Sequence, residues 1–326
     1  MITRRNVLAG GAALAGSLGL PQLSFAGANK LRVAQLKFGS VSWLMQTVVD
    51  QGLAKAANVD LELVNVATNS AGQIGLLSRD FDLIVSDWPW AMRQRSVGQA
   101  MKFAPYSSAL GALMTAGDSP VKSLEDLVGK RIGVAGSALD KSWILLRAYG
   151  LKTINKDLAK VSQPLFGAPP LIQEQLRSGR IDAALNFWTF SAKLKGSGFN
   201  QILSMADVLA ELGVSPVPPL IGFVWDQKTT KGKDEAIAGF FKSIKQANAL
   251  LASDDAVWQN VRPKMRAKTD GEFEALKAYY RAGIPDGWSK EQTQSAENLL
   301  KLLIELGDRK LAGSKTKFDA DLFYGI

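Results

Sequence analysis

Five of the eight tryptophans, Trp43, Trp88, Trp90, Trp143 and Trp188, stand at or just after turn-like stretches that follow short apolar runs. Lys37, Lys141, Ser70, Ser137, Ser142 and Asn186 lie beside them. Side chains of these types can bind. An indole stacks on a flat π-system or faces a quaternary ammonium. A lysine pairs with an anion, and serine and asparagine supply hydrogen bonds. Each tryptophan can equally pack its own core, so the set is a candidate site, weighed against that plainer use. Catalysis has less to draw on, because the chain contains no histidine and no cysteine. Ser-His-Asp and Cys-His catalysis are excluded, as are zinc, copper and haem sites ligated by those residues. Carboxylates remain for hard cations, but no D-x-[DN]-x-[DN]-G loop occurs and no metal or cofactor is expected.

Residues 129–149, GKRIGVAGSALDKSWILLRAY, show how such side chains would be positioned. Residues 130–135 read as a short buried strand, Gly136 and Ser137 break it, and 142–149 carry apolar residues at helical spacing. A helix would then begin at the carboxyl end of a strand, where its unpaired amides form an anion site. Residues 31–43 offer a second version: strand 31–36, turn Gly39-Ser40, helix 43–53. Both units carry Gly-Ser and then Ser-Trp at different spacing, an architectural echo and not a repeat. The expectation is two α/β lobes facing a shared cleft.

Residues 1–26 are read as an export signal. Thr3-Arg4-Arg5-Asn6-Val7-Leu8 resembles a twin-arginine motif, a mildly apolar stretch follows at 7–20, and Ser24-Phe25-Ala26 has a small-x-small ending. No later stretch approaches a membrane span. The mature chain is expected to be periplasmic from near Gly27. The formal charge is +9, and loss of Arg4 and Arg5 leaves +7. Lys and Arg are scattered with no basic run, which suits an anionic small ligand better than nucleic acid.

Further along, 59–66 alternates as a strand before the polar loop 68–72 and a helix at 73–78. Strand 81–85 ends in Ser86-Asp87-Trp88-Pro89-Trp90, and strand 181–185 ends in Asn186-Phe187-Trp188-Thr189. Residues 164–170 read as a breaker cluster, and the chain after 231 as amphipathic helices, clearest at 291–306. Apolar strands near 109–115 and 220–225 stand out as two crossings between lobes, a hinge for closure on a ligand. The domains are 27–108 plus 219–326 for one lobe and 109–218 for the other.

In this order, strand-to-Trp43, the segment 72–82, S-P-V-K-S-L-E-D-L-V-G-K-R-I-G-V and R-S-G-R-I-D-A-A resemble the periplasmic solute-binding proteins of ABC importers. The resemblance is to their sulfonate, taurine and nitrate type and covers about 31–225. It implies an α/β, two-lobed type II periplasmic-binding-protein fold with a two-strand hinge and a C-terminal helical region. It also implies a solute held among the loops after strands, a permease partner in the inner membrane, and no enzymatic activity. The family's serine-rich turn is replaced here by Gly136–Ser142 with a lysine, which argues against a taurine-like ligand.

The cleft is therefore assigned Trp43 and Trp143 as stacking faces from opposite lobes, and Lys37 and Lys141 as charge partners. Ser70, Ser137 and Ser142 are hydrogen-bond donors, and Trp88, Trp90, Asn186 and Trp188 close the walls. A planar aromatic polyanion satisfies both rings and charges; pyrroloquinoline quinone is the expected solute, and an aliphatic or aromatic sulfonate the alternative. The chain is expected to act as a monomer without nucleic acid. An enzyme on the pyrimidine-synthase-like version of the fold is disfavoured, because that chemistry relies on histidine and cysteine.

Overall fold

Covered on both faces, β1 (Lys30–Leu36) buries Leu31, Val33, Ala34 and Gln35, as central parallel strands do. The computed structural model describes residues 27–37, 39–306 and 316–325, and the export signal read at 1–26 lies outside them. After β1 come α1 (Val41–Asp50), α2 (Leu53–Ala56), β2 (Asp60–Val66), α3 (Asn69–Leu77), β3 (Leu83–Asp87), α4 (Trp88–Ser96) and β4 (Met101–Ser107). The chain then crosses to β5 (Ala112–Thr115), β6 (Arg131–Ala135), α5 (Lys141–Ile154), α6 (Leu158–Val161) and β7 (Gln163–Gly167). This part continues with α7 (Pro169–Arg177), β8 (Ala183–Asn186), α8 (Trp188–Gly196), β9 (Asn200–Ser204) and α9 (Met205–Glu211). It returns through β10 (Ile221–Asp226) to α10 (Asp234–Ser253), α11 (Asp255–Met265), α12 (Asp270–Ala282) and α13 (Lys290–Leu306).

Two five-stranded sheets result, ordered β2-β1-β3-β10-β4 and β7-β6-β8-β5-β9. In each, three parallel strands are followed by an antiparallel fourth, β10 or β5, which the chain enters directly after a crossing. The sheets share a local device that the Gly-Ser echo does not capture. Arg32 at the start of β1 donates its amide to Asp82 at 2.8 Å, and Arg131 at the start of β6 donates its amide to Asp182 at 2.8 Å. Each guanidinium also binds the same aspartate and a carbonyl of the preceding helix-to-strand turn, Arg79 or Gly179. Burial pushes the Asp82 carboxyl up, but Arg32 and Lys233 outweigh it and hold it below its ordinary value.

The C-terminal helices are divided between the sheets. α10 and α11 pack on α1, whereas α12 lies along α8 and α13 against α5, so the last two helices reach the second sheet. α8 and α12 touch backbone to backbone: a Cβ on Gly196 would stand 2.2 Å from the Gly271 carbonyl oxygen. Beside this crossing Glu272, 2% exposed, accepts from Arg177 at 2.8 Å, Ser197 Oγ at 3.2 Å and the Lys268 amide at 2.7 Å. Among the described residues no helix is long and apolar enough to cross a membrane.

Candidate functional site

Each sheet sends its parallel strands toward a set of helix starts, and contacts between the sheets show that these ends face one another. Trp43 in the first turn of α1 meets Trp188 at the start of α8 edge-on, with centroids 5.8 Å apart. Lys141 Nζ at the start of α5 lies 3.3 Å from Asp87 Oδ2 at the end of β3. The crevice therefore lies at the carboxyl ends of the strands, where open α/β sheets bind ligands.

Three of the helix starts are already capped by a side chain of the chain itself. Thr68 caps α3 through the Ala71 amide at 3.1 Å, and Asp87 Oδ1 caps α4 through the Trp90 amide at 2.9 Å. Asp140 caps α5 through the amides of Ser142 at 2.9 Å and Trp143 at 3.3 Å. Burial pushes the Asp140 carboxyl above its ordinary value, against the pull of those amides. α7 opens with Pro169 and Pro170, which have no N–H. At α1 the amides of Ser42 and Trp43 turn back to Gly39 and Ser40 at 3.0 Å. α8 differs: the side chain of its N-cap, Phe187, has no oxygen to offer, and the amides of Trp188 and Thr189 have no protein acceptor among the described residues. The anion position anticipated at 136–143 is thus taken by Asp140, and α8 opens on the crevice with no side-chain cap, although the Asn69 and Ser70 amides of α3 also have no protein acceptor among the described residues.

The anticipated site residues separate into three groups. Lys37 and Ser137 are exposed just beyond strands and Ser70 is exposed in the first turn of α3, with Ser137 Oγ accepting from the Leu139 amide at 3.2 Å. Lys141, Ser142 and Trp188 are half-buried along the crevice. Trp43, Trp88, Trp90, Trp143 and Asn186 are buried. The clamp of Trp43 against Trp143 does not form. Trp143 is 1% exposed in the second-sheet core, edge-on to Phe166 at 6.1 Å. Trp43 is enclosed by Trp188, Trp258 and Tyr280. Trp88 and Trp90 are not free walls either: they fill the first turn of α4, and Trp88 packs on Phe323 at 5.9 Å. Asn186 spends both ends of its amide locally, donating to the Pro169 carbonyl at 3.0 Å and accepting from the Phe187 amide at 2.9 Å.

Asp87, Asp140, Trp258, Tyr280 and Tyr106 were not anticipated at the site. Tyr106 donates to Ser40 Oγ at 3.0 Å and Tyr280 to Asn248 Oδ1 at 3.1 Å, and burial raises both phenols above their ordinary value. The indole Nε1 of Trp43 is buried with no hydrogen-bond partner among the described residues. Among those residues no group of three acidic side chains could hold a metal ion. Cavities of about 470 and 310 Å³ open elsewhere, the first at the amino ends of β1 and β2 and the second beside α5 and β9.

Residues 49–255 match the family model described as NMT1/THI5 like. The chain belongs to the NMT1/THI5-like family. No curated protein matches it. Among solved structures, this NMT1/THI5-like chain is similar to the periplasmic aliphatic sulphonate binding protein SsuA of Escherichia coli. The TM-score is 0.70 at 14% identity, covering 89% of this chain and 92% of that one. It is similar to the alkanesulfonate-binding protein SsuA of Xanthomonas axonopodis pv. citri bound to MOPS, with TM-score 0.66 at 15% identity, covering 91% and 98%. The periplasmic nitrate-binding protein NrtA of Synechocystis gives TM-score 0.54 at 10% identity, covering 75% and 68%. These likenesses establish the fold: two lobes, each a five-stranded α/β sheet, arranged as in periplasmic binding proteins.

Proposed function

We propose that this chain is the periplasmic solute-binding component of an ABC import system, which closes its two lobes on a small organic anion and delivers it to a permease. The observation that carries the reading is the start of α8. The Trp188 and Thr189 amides have no protein acceptor there, and the Trp188 ring meets Trp43, whose buried Nε1 is also unpartnered, so unsatisfied donors of both lobes lie at one contact. Donors at a helix start attract negative charge, and the chain carries a net positive charge.

A sulfonate is the solute class we favour, because two of the similar structures are described as sulfonate-binding proteins. Pyrroloquinoline quinone is the second reading. It rests on the exposed ring of Phe187 and the half-exposed ring of Trp188, which border the same amides. Its case is weaker without a two-sided tryptophan clamp.

Calorimetric titration of the chain from Gly27 onward with MOPS, taurine, nitrate and pyrroloquinoline quinone tests this, with tryptophan fluorescence in parallel. Saturable one-to-one binding of MOPS with a change in emission supports the sulfonate reading, and binding of the quinone alone transfers the site to the aromatic polyanion. No heat and no spectral change with any of the four refutes an organic-anion site.

A further inference from the structure

Asp87 and Lys141 stand on different sheets, one closing β3 and the other opening α5, yet their side chains meet at 3.3 Å. Asp87 divides its carboxylate between two tasks. Oδ1 holds the Trp90 amide at the start of α4, and Oδ2 faces the ammonium of the other lobe. Lys141 extends from a fixed base, because the preceding Asp140 pins the first turn of α5. The two side chains are 31% and 22% exposed. Solvent and salt therefore screen their attraction less than that of a surface pair. Opening the crevice separates the two groups and returns both charges to water.

We propose that Asp87 and Lys141 clasp the lobes in the solute-free chain, and that a solute anion takes the place of Asp87 on Lys141. Asp87 is then a specificity-determining residue. A solute gains Lys141 only by presenting a negative group that competes with a tethered carboxylate, and a neutral body gains nothing. The exchange rests on the solute-binding reading, whereas the clasp needs no solute. Asp87→Asn removes the charge and keeps an oxygen to cap α4, so the pair is separable from the helix start.

The sequence has no cysteine, so cysteines placed at exposed Ser78 and Ser178, beyond the ends of α3 and α7, carry the only spin labels. Distances between them are measured without solute in the otherwise native chain, in Asp87→Asn, in Lys141→Met and in the double variant. Each single substitution is expected to move the distribution to longer distance. The double variant should match the singles instead of summing them, and high salt should shift the native pair alone. Identical distributions in all four overturn the clasp. Lys141→Met gives an independent reading should Asp87→Asn fold poorly. MOPS is then titrated into the same proteins, with several-fold tighter binding expected for Asp87→Asn and several-fold weaker for Lys141→Met. Equal affinity in the native chain and Asp87→Asn, or no MOPS binding to any of the four, overturns the exchange. Failure of the solute-binding reading shows separately, as no response to the whole solute panel, and leaves the distances unchanged.

Discussion

The same substitution, glycine to alanine, should have opposite effects at two helical positions of this chain. At Gly196 a new Cβ would stand 2.2 Å from the carbonyl oxygen of Gly271, 2.6 Å from its carbon and 2.8 Å from Glu272 Cα. All three are backbone atoms and none can rotate away, so α8 and α12 must separate by about 1 Å to restore ordinary contact, a case of overpacking that costs ~1–3 kcal/mol. The separation also pulls Arg177 and Ser197 from Glu272, whose carboxylate is 3% exposed. Loss of one partner of a buried ion pair costs ~3–5 kcal/mol when complete. Against this, the helical preference of alanine over glycine returns at most ~1 kcal/mol. Gly196→Ala is therefore expected to lose about 3 kcal/mol. At Gly72, inside α3, the Cβ meets Val66 Cγ2 at 3.8 Å and Ile84 Cγ2 at 3.9 Å, ordinary contacts. Gly72→Ala should be neutral or gain up to ~1 kcal/mol. Urea unfolding followed by far-ultraviolet circular dichroism measures both. Equal loss in the two variants, or a Gly196→Ala protein as stable as the native chain, would refute the rigid-crossing argument.

At the start of α5, Asp140→Ala should cost ~1 kcal/mol as a lost cap. Asp140→Asn should match the native chain at neutral pH, because burial disfavours the charge and the amide oxygen still accepts. Equal destabilisation of the two in thermal unfolding would show that the charge itself matters. In acid, the hydrogen bond from Arg147 holds the Asp157 carboxyl below its ordinary value of 3.8, and Arg131 does the same for Asp182. The folded values lie below the unfolded ones, so this stabilisation is complete above the unfolded value and is lost as pH falls through the folded ones. Asp157→Asn should flatten the slope of unfolding free energy between about pH 5 and pH 2, and an unchanged slope would remove Asp157 from the account.

The fold was legible where short apolar runs met turn chemistry: β1, β6, β8, β10 and the long C-terminal helices all fall on patterned stretches. Prolines concealed other elements. Pro164 lies in β7, which is an edge strand and tolerates the missing N–H, so residues 163–167 form a strand where the sequence suggested a break. Pro89 sits in the first turn of α4, where its missing N–H costs nothing, so 88–90 begin a helix instead of a loop. That change of element alters the tryptophans: a residue in a helical first turn against Phe323 has a core to fill. The position of the crevice followed from strand ends alone, but its occupancy did not. Asp140 two residues before Ser142 and Asp87 three before Trp90 are readable as caps, whereas the approach of Lys141 to Asp87 joins residues on separate sheets and leaves no local trace.

The caps decide where a negative group from outside the chain has a place. A helix start draws negative charge of any origin, and a side chain held one or two residues away competes with advantage against a free solute because it loses less freedom on binding. Asp87 and Asp140 have that advantage at α4 and α5. Phenylalanine at the N-cap of α8 forgoes a contribution of ~1 kcal/mol that aspartate or serine would supply, and the cost is borne beside an indole N–H that is also unpaired. Two local deficits at one point of contact between lobes have a common remedy in an acceptor from outside the chain. On this reasoning α8 offers the seat, and Lys141, held by Asp87 until a solute displaces it, is the flanking charge.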